Sequence, residues 1–123
     1  MLHAHLVFIT KYQKAAFTDE MLLSMKSYME KICADFDCTL EEFNGEKNHV
    51  HLLVNFQPKV SVSKLVNSLK GVSSRRLRID YAKEMHHIYW KGVLWSPSYF
   101  AGSVGGAPLA VLKQYIEQQD RPL

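Results

Sequence analysis

Asn48-His49-Val50-His51-Leu52-Leu53-Val54 alternates polar and apolar residues with a period of two. In an extended chain side chains i and i+2 share a face, so His49 and His51 project together. Val50, Leu52 and Val54 then form an opposite, buried face. The pattern predicts a strand over 49–56, closed by Pro58. Two neutral imidazoles with backbones about 7 Å apart can converge on one divalent cation. Two nitrogens do not fill a coordination shell, so the rest of the chain must supply further ligands.

Working outward, residues 39–46 read as a second strand with Asn44-Gly45 near its end, and the pair forms an antiparallel hairpin. Residues 2–10 are rich in β-formers and predict a strand at the start. His3 and His5 repeat the i, i+2 spacing there, but ordinary strand histidines are the better reading of that pair. Lys11-Tyr12-Gln13-Lys14 is a basic turn carrying an aromatic, suited to gripping a phosphate and stacking a base.

Thr18 is a good N-cap, and Asp19 and Glu20 suit the positive end of a helix dipole. Met21, Leu22, Met25, Tyr28, Met29, Ile32, Cys33 and Phe36 recur at three- and four-residue steps and predict an amphipathic helix over 19–37. The Met stripe is core packing, and Cys33 within it is an inert buried thiol. Ser61 or Ser63 caps a second helix with Val62, Leu65, Val66, Leu69 and Val72 on its apolar side. Its other face carries Lys64, Ser68, Gly71 and Arg75, widened by Arg76 and Arg78. Tyr81–His87 suits a short helix, and 93–103 a strand bent at Pro97. Gly102-Ser103-Val104-Gly105-Gly106 reads as a hinge before a final helix over 108–119 that begins at Pro108.

This order predicts one α+β domain over 1–123. It is a ferredoxin-like split β-α-β-β-α-β antiparallel sheet with helices on one face, plus a C-terminal helix carrying a tyrosine.

The totals narrow the function classes. A chain of 123 residues, 47% hydrophobic and 22% charged, is ordinary for one globular domain. No apolar run approaches the roughly 20 residues that span a bilayer, so no membrane partner is expected. Two unpatterned cysteines exclude a disulfide scaffold and predict a reducing, cytoplasmic setting. The net charge of +3 is unevenly spread: 1–58 sums to −3, 59–91 to +6 and 92–123 to zero. A basic middle segment points to a polyanion partner.

On the final helix Tyr115 and Gln119 lie four residues apart and share a face. A phenol there can act as a nucleophile and an amide oxygen as a metal ligand. Free tyrosine has a pKa of about 10, so attack on phosphorus needs help. A cation held by His49 and His51 would polarise a phosphate, and Glu46 just upstream can add a carboxylate ligand. Mixed imidazole and oxygen ligands favour Mg2+ or Mn2+ over a structural zinc.

The chain resembles the single-tyrosine HUH transposases of small insertion sequences, the IS200-like family. The matching pieces are Lys11-Tyr12, Asn48-His49-Val50-His51-Leu52-Leu53-Val54, Ser61-Val62-Ser63-Lys64-Leu65-Val66 and Leu69-Lys70-Gly71. They continue with Ser73-Ser74-Arg75, Leu94-Trp95-Ser96-Pro97-Ser98-Tyr99-Phe100, Gly102, Val104-Gly105-Gly106 and Lys113-Gln114-Tyr115-Ile116-Glu117 with Gln119. The resemblance implies cleavage of single-stranded DNA at transposon ends recognised as imperfect hairpins, through a 5′-phosphotyrosine on Tyr115. It implies metal ligands at His49, His51 and Gln119, and a homodimer in which one subunit's tyrosine helix can complete the other's site in trans. Lys11, Tyr12, Lys64, Lys70, Ser74, Arg75, Arg76 and Arg78 are the expected DNA contacts. Gln13, Val72 and Asn48 depart from the residues usual at those positions, where arginine, a basic residue and aspartate are common. The alternative reading is a non-catalytic or domesticated palindrome-binding module on the same sheet.

Overall fold

The computed structural model describes residues 2–86, 88, 93–103, 114–115 and 117–118. Four strands, β1 (Leu2–Ile9), β2 (Thr39–Gly45), β3 (His49–Phe56) and β4 (Phe100–Ser103), form one sheet in the order β2-β3-β1-β4, with every described pairing antiparallel. Helices α1 (Asp19–Asp35) and α2 (Val62–Asp80) link the strands, followed by a short α3 (Ala82–Met85). The α+β split arrangement expected from the sequence is therefore the architecture found. The fourth strand is shorter than 93–103. Regular pairing begins at Phe100, and before it only Trp95 bridges, to Thr10. Of the expected final helix, only residues 114, 115, 117 and 118 are described, and they are helical.

Local chemistry explains the helix ends. The Thr18 side chain accepts the Met21 N–H, and Ser61 the Lys64 N–H, each satisfying an orphan donor of a first turn. At the end of α1 the Cys38 N–H donates to Cys33 O at 2.8 Å and the Asp37 N–H to Ala34 O at 3.0 Å. Asp37 holds φ 57° between them, so the helix closes in a left-handed turn that usually takes glycine.

One core lies between the helices and one sheet face. Leu6, Phe8, Val50, Leu52 and Val54 point into it and meet Met21, Met25, Met29, Cys33, Leu65, Val66 and Leu69, all essentially inaccessible to solvent. Burial pushes the Cys33 thiol up to about 12, in keeping with an inert core residue. Trp95 closes one end, its ring 5.9 Å from Phe8 and 5.4 Å from Phe17, with its indole N–H donating to the Ser73 hydroxyl at 3.2 Å. A side chain of this size buried at the edge of a core is worth about 3–5 kcal/mol.

β1 is the exception to alternation. Leu6, Val7, Phe8 and Ile9 are all buried, so both of its faces are covered. Val7 and Ile9 belong to a second, smaller cluster on the face away from α1 and α2, where Phe100 and Tyr115 pack on them.

Candidate metal and nucleic-acid site

The second face of the sheet brings the sequence-predicted residues together. Register sets His51 opposite Val7 of β1 and Asn44 of β2, and His49 opposite Ile9. Because directly paired residues project to the same side, His49 and His51 stand beside Val7 and Ile9, one strand spacing of about 4.8 Å away. Tyr115 packs on those same two aliphatic residues, and its ring lies 5.5 Å from that of Phe100, which is itself paired with Val7. The phenol of the tail and the mid-chain imidazoles therefore share one surface of a single chain.

The imidazoles are prepared for coordination. His49 Nδ1 lies 2.9 Å from Asn48 Oδ1. A carboxamide oxygen only accepts, so Nδ1 carries the proton and Nε2 keeps a bare lone pair. Burial lowers the His49 pKa, opposed by the Glu46 carboxylate. Burial also lowers that of His51, aided by His5 and opposed by Glu42. Both shifts favour the neutral ring, the form that binds a metal. The donor set thus fits a divalent cation, with two imidazoles on one strand and oxygen ligands still required. Glu46 is exposed and lines a cavity of about 350 Å3 with Phe17, Thr18, Asp19 and Leu22, at the start of α1. Among the described residues no three His, Cys, Asp or Glu side chains form a metal cluster. Gln119, the other expected ligand, lies outside the described residues.

His5 is the residue that sequence reasoning passed over. Its Nδ1 lies 2.8 Å from His51 Nε2, and the two rings are 5.0 Å apart. The signal was the His3/His5 spacing on β1, but only the β1–β3 register reveals that His5, paired with Leu53, falls diagonally across from His51.

The expected DNA contacts divide between the two faces. Lys11 and Tyr12 follow β1 directly, next to the strand end that carries His49, and the Lys11 ammonium lies 5.5 Å from the Tyr12 ring centre. Tyr12 and Gln13 adopt φ 58° and 53°, consecutive left-handed positions costing about 1–3 kcal/mol each. Thr10 holds the turn, its hydroxyl donating to Lys14 O at 2.7 Å. Lys64, Arg75 and Arg78 are exposed on α2 and Ser74 is half-buried there. That helix covers the opposite face of the sheet from the imidazoles. Lys70 and Arg76 have structural partners. Lys70 donates to the carbonyls of Ser96 at 2.6 Å and Ser98 at 3.3 Å, and Arg76 pairs with Asp80 at 3.2 Å over the Tyr28 ring.

An antiparallel split β-α-β-β-α-β sheet with a His-hydrophobic-His strand and a tail tyrosine on the face away from α1 and α2 defines a class of tyrosine-bearing α+β proteins. The profile of the family described as "Transposase IS200 like" matches residues 1–119, and the chain belongs to that family. It is 30% identical over 118 residues to ISDra2 transposase TnpA of Deinococcus radiodurans, covering 96% of this chain and 84% of that one. It is likewise 30% identical over 115 residues to the transposase for insertion sequence element IS200 of Salmonella typhimurium, covering 94% and 74%. A crystal structure described as a transposase from Deinococcus radiodurans superimposes with a TM-score of 0.89 at 30% identity, over 99% of this chain and 92% of that one. A REP-associated tyrosine transposase bound to a REP hairpin shares the fold, with a TM-score of 0.57 at 8% identity over 94% and 62%. Among the described residues no helix is long and apolar enough to cross a membrane.

Proposed function

We propose that this transposase binds hairpins in single-stranded DNA at transposon ends and cleaves and rejoins strands through Tyr115. A divalent cation, Mg2+ or Mn2+, is held by His49 and His51 and completed by Gln119. The carrying observation is the seat of Tyr115 on Val7 and Ile9, the partners of His51 and His49 in the sheet. The hairpin carried by the REP-associated relative supports structured single strands as the substrate.

In this reading the Tyr115 oxygen forms a bond to the scissile phosphorus while the bond to the 3′ oxygen breaks. The products are a 5′-phosphotyrosine and a free 3′-hydroxyl, the phenol proton passing to solvent and the leaving oxygen taking one up. When bound, the cation stabilises the negative charge that develops on the phosphate. His49 and His51 supply its nitrogens. Val7, Ile9 and Phe100 hold the tyrosine ring. Lys11, Tyr12 and the basic face of α2 bind the backbone and bases. The protein acts as a homodimer in the cytoplasm.

The test uses a hairpin oligonucleotide bearing a transposon-end sequence, with Mg2+. Wild type becomes covalently attached to DNA, whereas Tyr115→Phe binds and forms no adduct. His49→Ala loses cleavage while hairpin affinity changes by less than about threefold, because that affinity rests on phosphate neutralisation. Binding without cleavage of any end sequence by wild type would replace the enzyme with a palindrome-binding module.

A further inference from the structure

We propose that His5 is a positioning residue for His51, fixing which ring nitrogen is offered to the cation; this rests on the metal reading above. A ligating histidine ordinarily donates its second ring N–H to a neighbouring acceptor, which sets both tautomer and orientation. His49 already follows that rule through Asn48, leaving Nε2 bare. His51 has its Nε2 placed 2.8 Å from His5 Nδ1, a contact in which one proton is shared between two ring nitrogens.

Register decides the direction. His5 pairs with Leu53, on the side of His51 away from His49. The contact therefore turns Nε2 of His51 away from His49. The two nitrogens of an imidazole point to nearly opposite sides of the ring, so Nδ1 faces back toward His49. With His51 Nε2–H donating to His5 Nδ1, the nitrogens of the pair left bare to hold a cation are His49 Nε2 and His51 Nδ1. The strand pairing on the other flank of His5 presents Gly102, which brings no side chain against its ring. His5 touches neither the ion nor the DNA in this arrangement. Its part is to hold the ring of His51.

The experiment titrates Mn2+ into the full chain without DNA, by calorimetry or electron paramagnetic resonance, for wild type, His5→Ala and His5→Asn. The asparagine oxygen reproduces the acceptor at Nδ1. His5→Ala weakens Mn2+ binding by about 10- to 100-fold, and His5→Asn restores it to within about threefold of wild type. The two variants melt together. In nitrogen NMR of the metal-free wild type, His51 carries its proton on Nε2. Mn2+ binding by His5→Ala at wild-type strength or tighter, or a His51 proton on Nδ1, overturns the positioning role while leaving the cation reading intact. Failure of wild type to bind Mn2+ removes both.

Discussion

At the scale of single residues, the site is organised by what the imidazoles touch as much as by the imidazoles themselves. Asn48 is the clearest case, because its side-chain oxygen leaves His49 one possible tautomer. Asn48→Ala removes that acceptor and is expected to lower Mn2+ affinity by about 10- to 100-fold, as for other outer partners of metal-bound histidines. Asn48→Asp keeps an acceptor in place and adds charge, so its affinity equals or exceeds that of wild type. Calorimetric titration of the two variants checks both outcomes. His49 and His51 were legible from their spacing alone. His5 was not, since a residue 46 positions away becomes a neighbour only through register.

At the scale of elements, helix caps and stripes follow local rules and were read from them: Thr18, Ser61 and the Met stripe of α1 all behave as their sequence requires. The join between α1 and α2 was not legible, because it depends on side chains meeting across two helices. Tyr28 of α1 donates to the Asp80 carboxylate at 2.5 Å, and burial followed by that hydrogen bond raises its pKa to about 12. A phenol raised above its ordinary value of about 10 adds stability that is intact below pH 10 and lost as pH rises through 12. Alkaline unfolding of wild type should therefore steepen between pH 10 and 12. In Tyr28→Phe that component is missing and the decline is shallower, as circular dichroism across the range will show. Lys70 teaches the same lesson. Its place on a basic helix face suggested DNA, yet its ammonium caps the carbonyls of Ser96 and Ser98 and ties α2 to the segment before β4.

At the scale of the whole molecule, two layers rest on one sheet. The larger is the core under α1 and α2; the smaller is Val7, Ile9, Phe100 and Tyr115 on the other side. The smaller layer couples stability to position, since Val7 and Ile9 both bury apolar area and seat the tyrosine. Ile9→Ala should cost about 2–5 kcal/mol in denaturant unfolding if the site does not collapse. It should reduce adduct formation on a hairpin more than it reduces hairpin binding, because Lys11 and the α2 face are left untouched. Equal losses of the two would show that Ile9 supports the fold alone.

The amino-acid order determined β1 to β3, α1 and α2, the caps and apolar faces of those helices, and the pairing of His49 with His51, because these depend on periods of two and 3.6 along one stretch of chain. The run Leu6-Val7-Phe8-Ile9 was legible as a strand, and the structure shows that both of its sides are covered. Tertiary structure alone decided the rest: that Tyr115 covers the second side, that His5 reaches His51, and that α2 lies across the sheet from the imidazoles. Those relations join residues far apart in sequence, and they are fixed by strand register and by which apolar surface each element must bury.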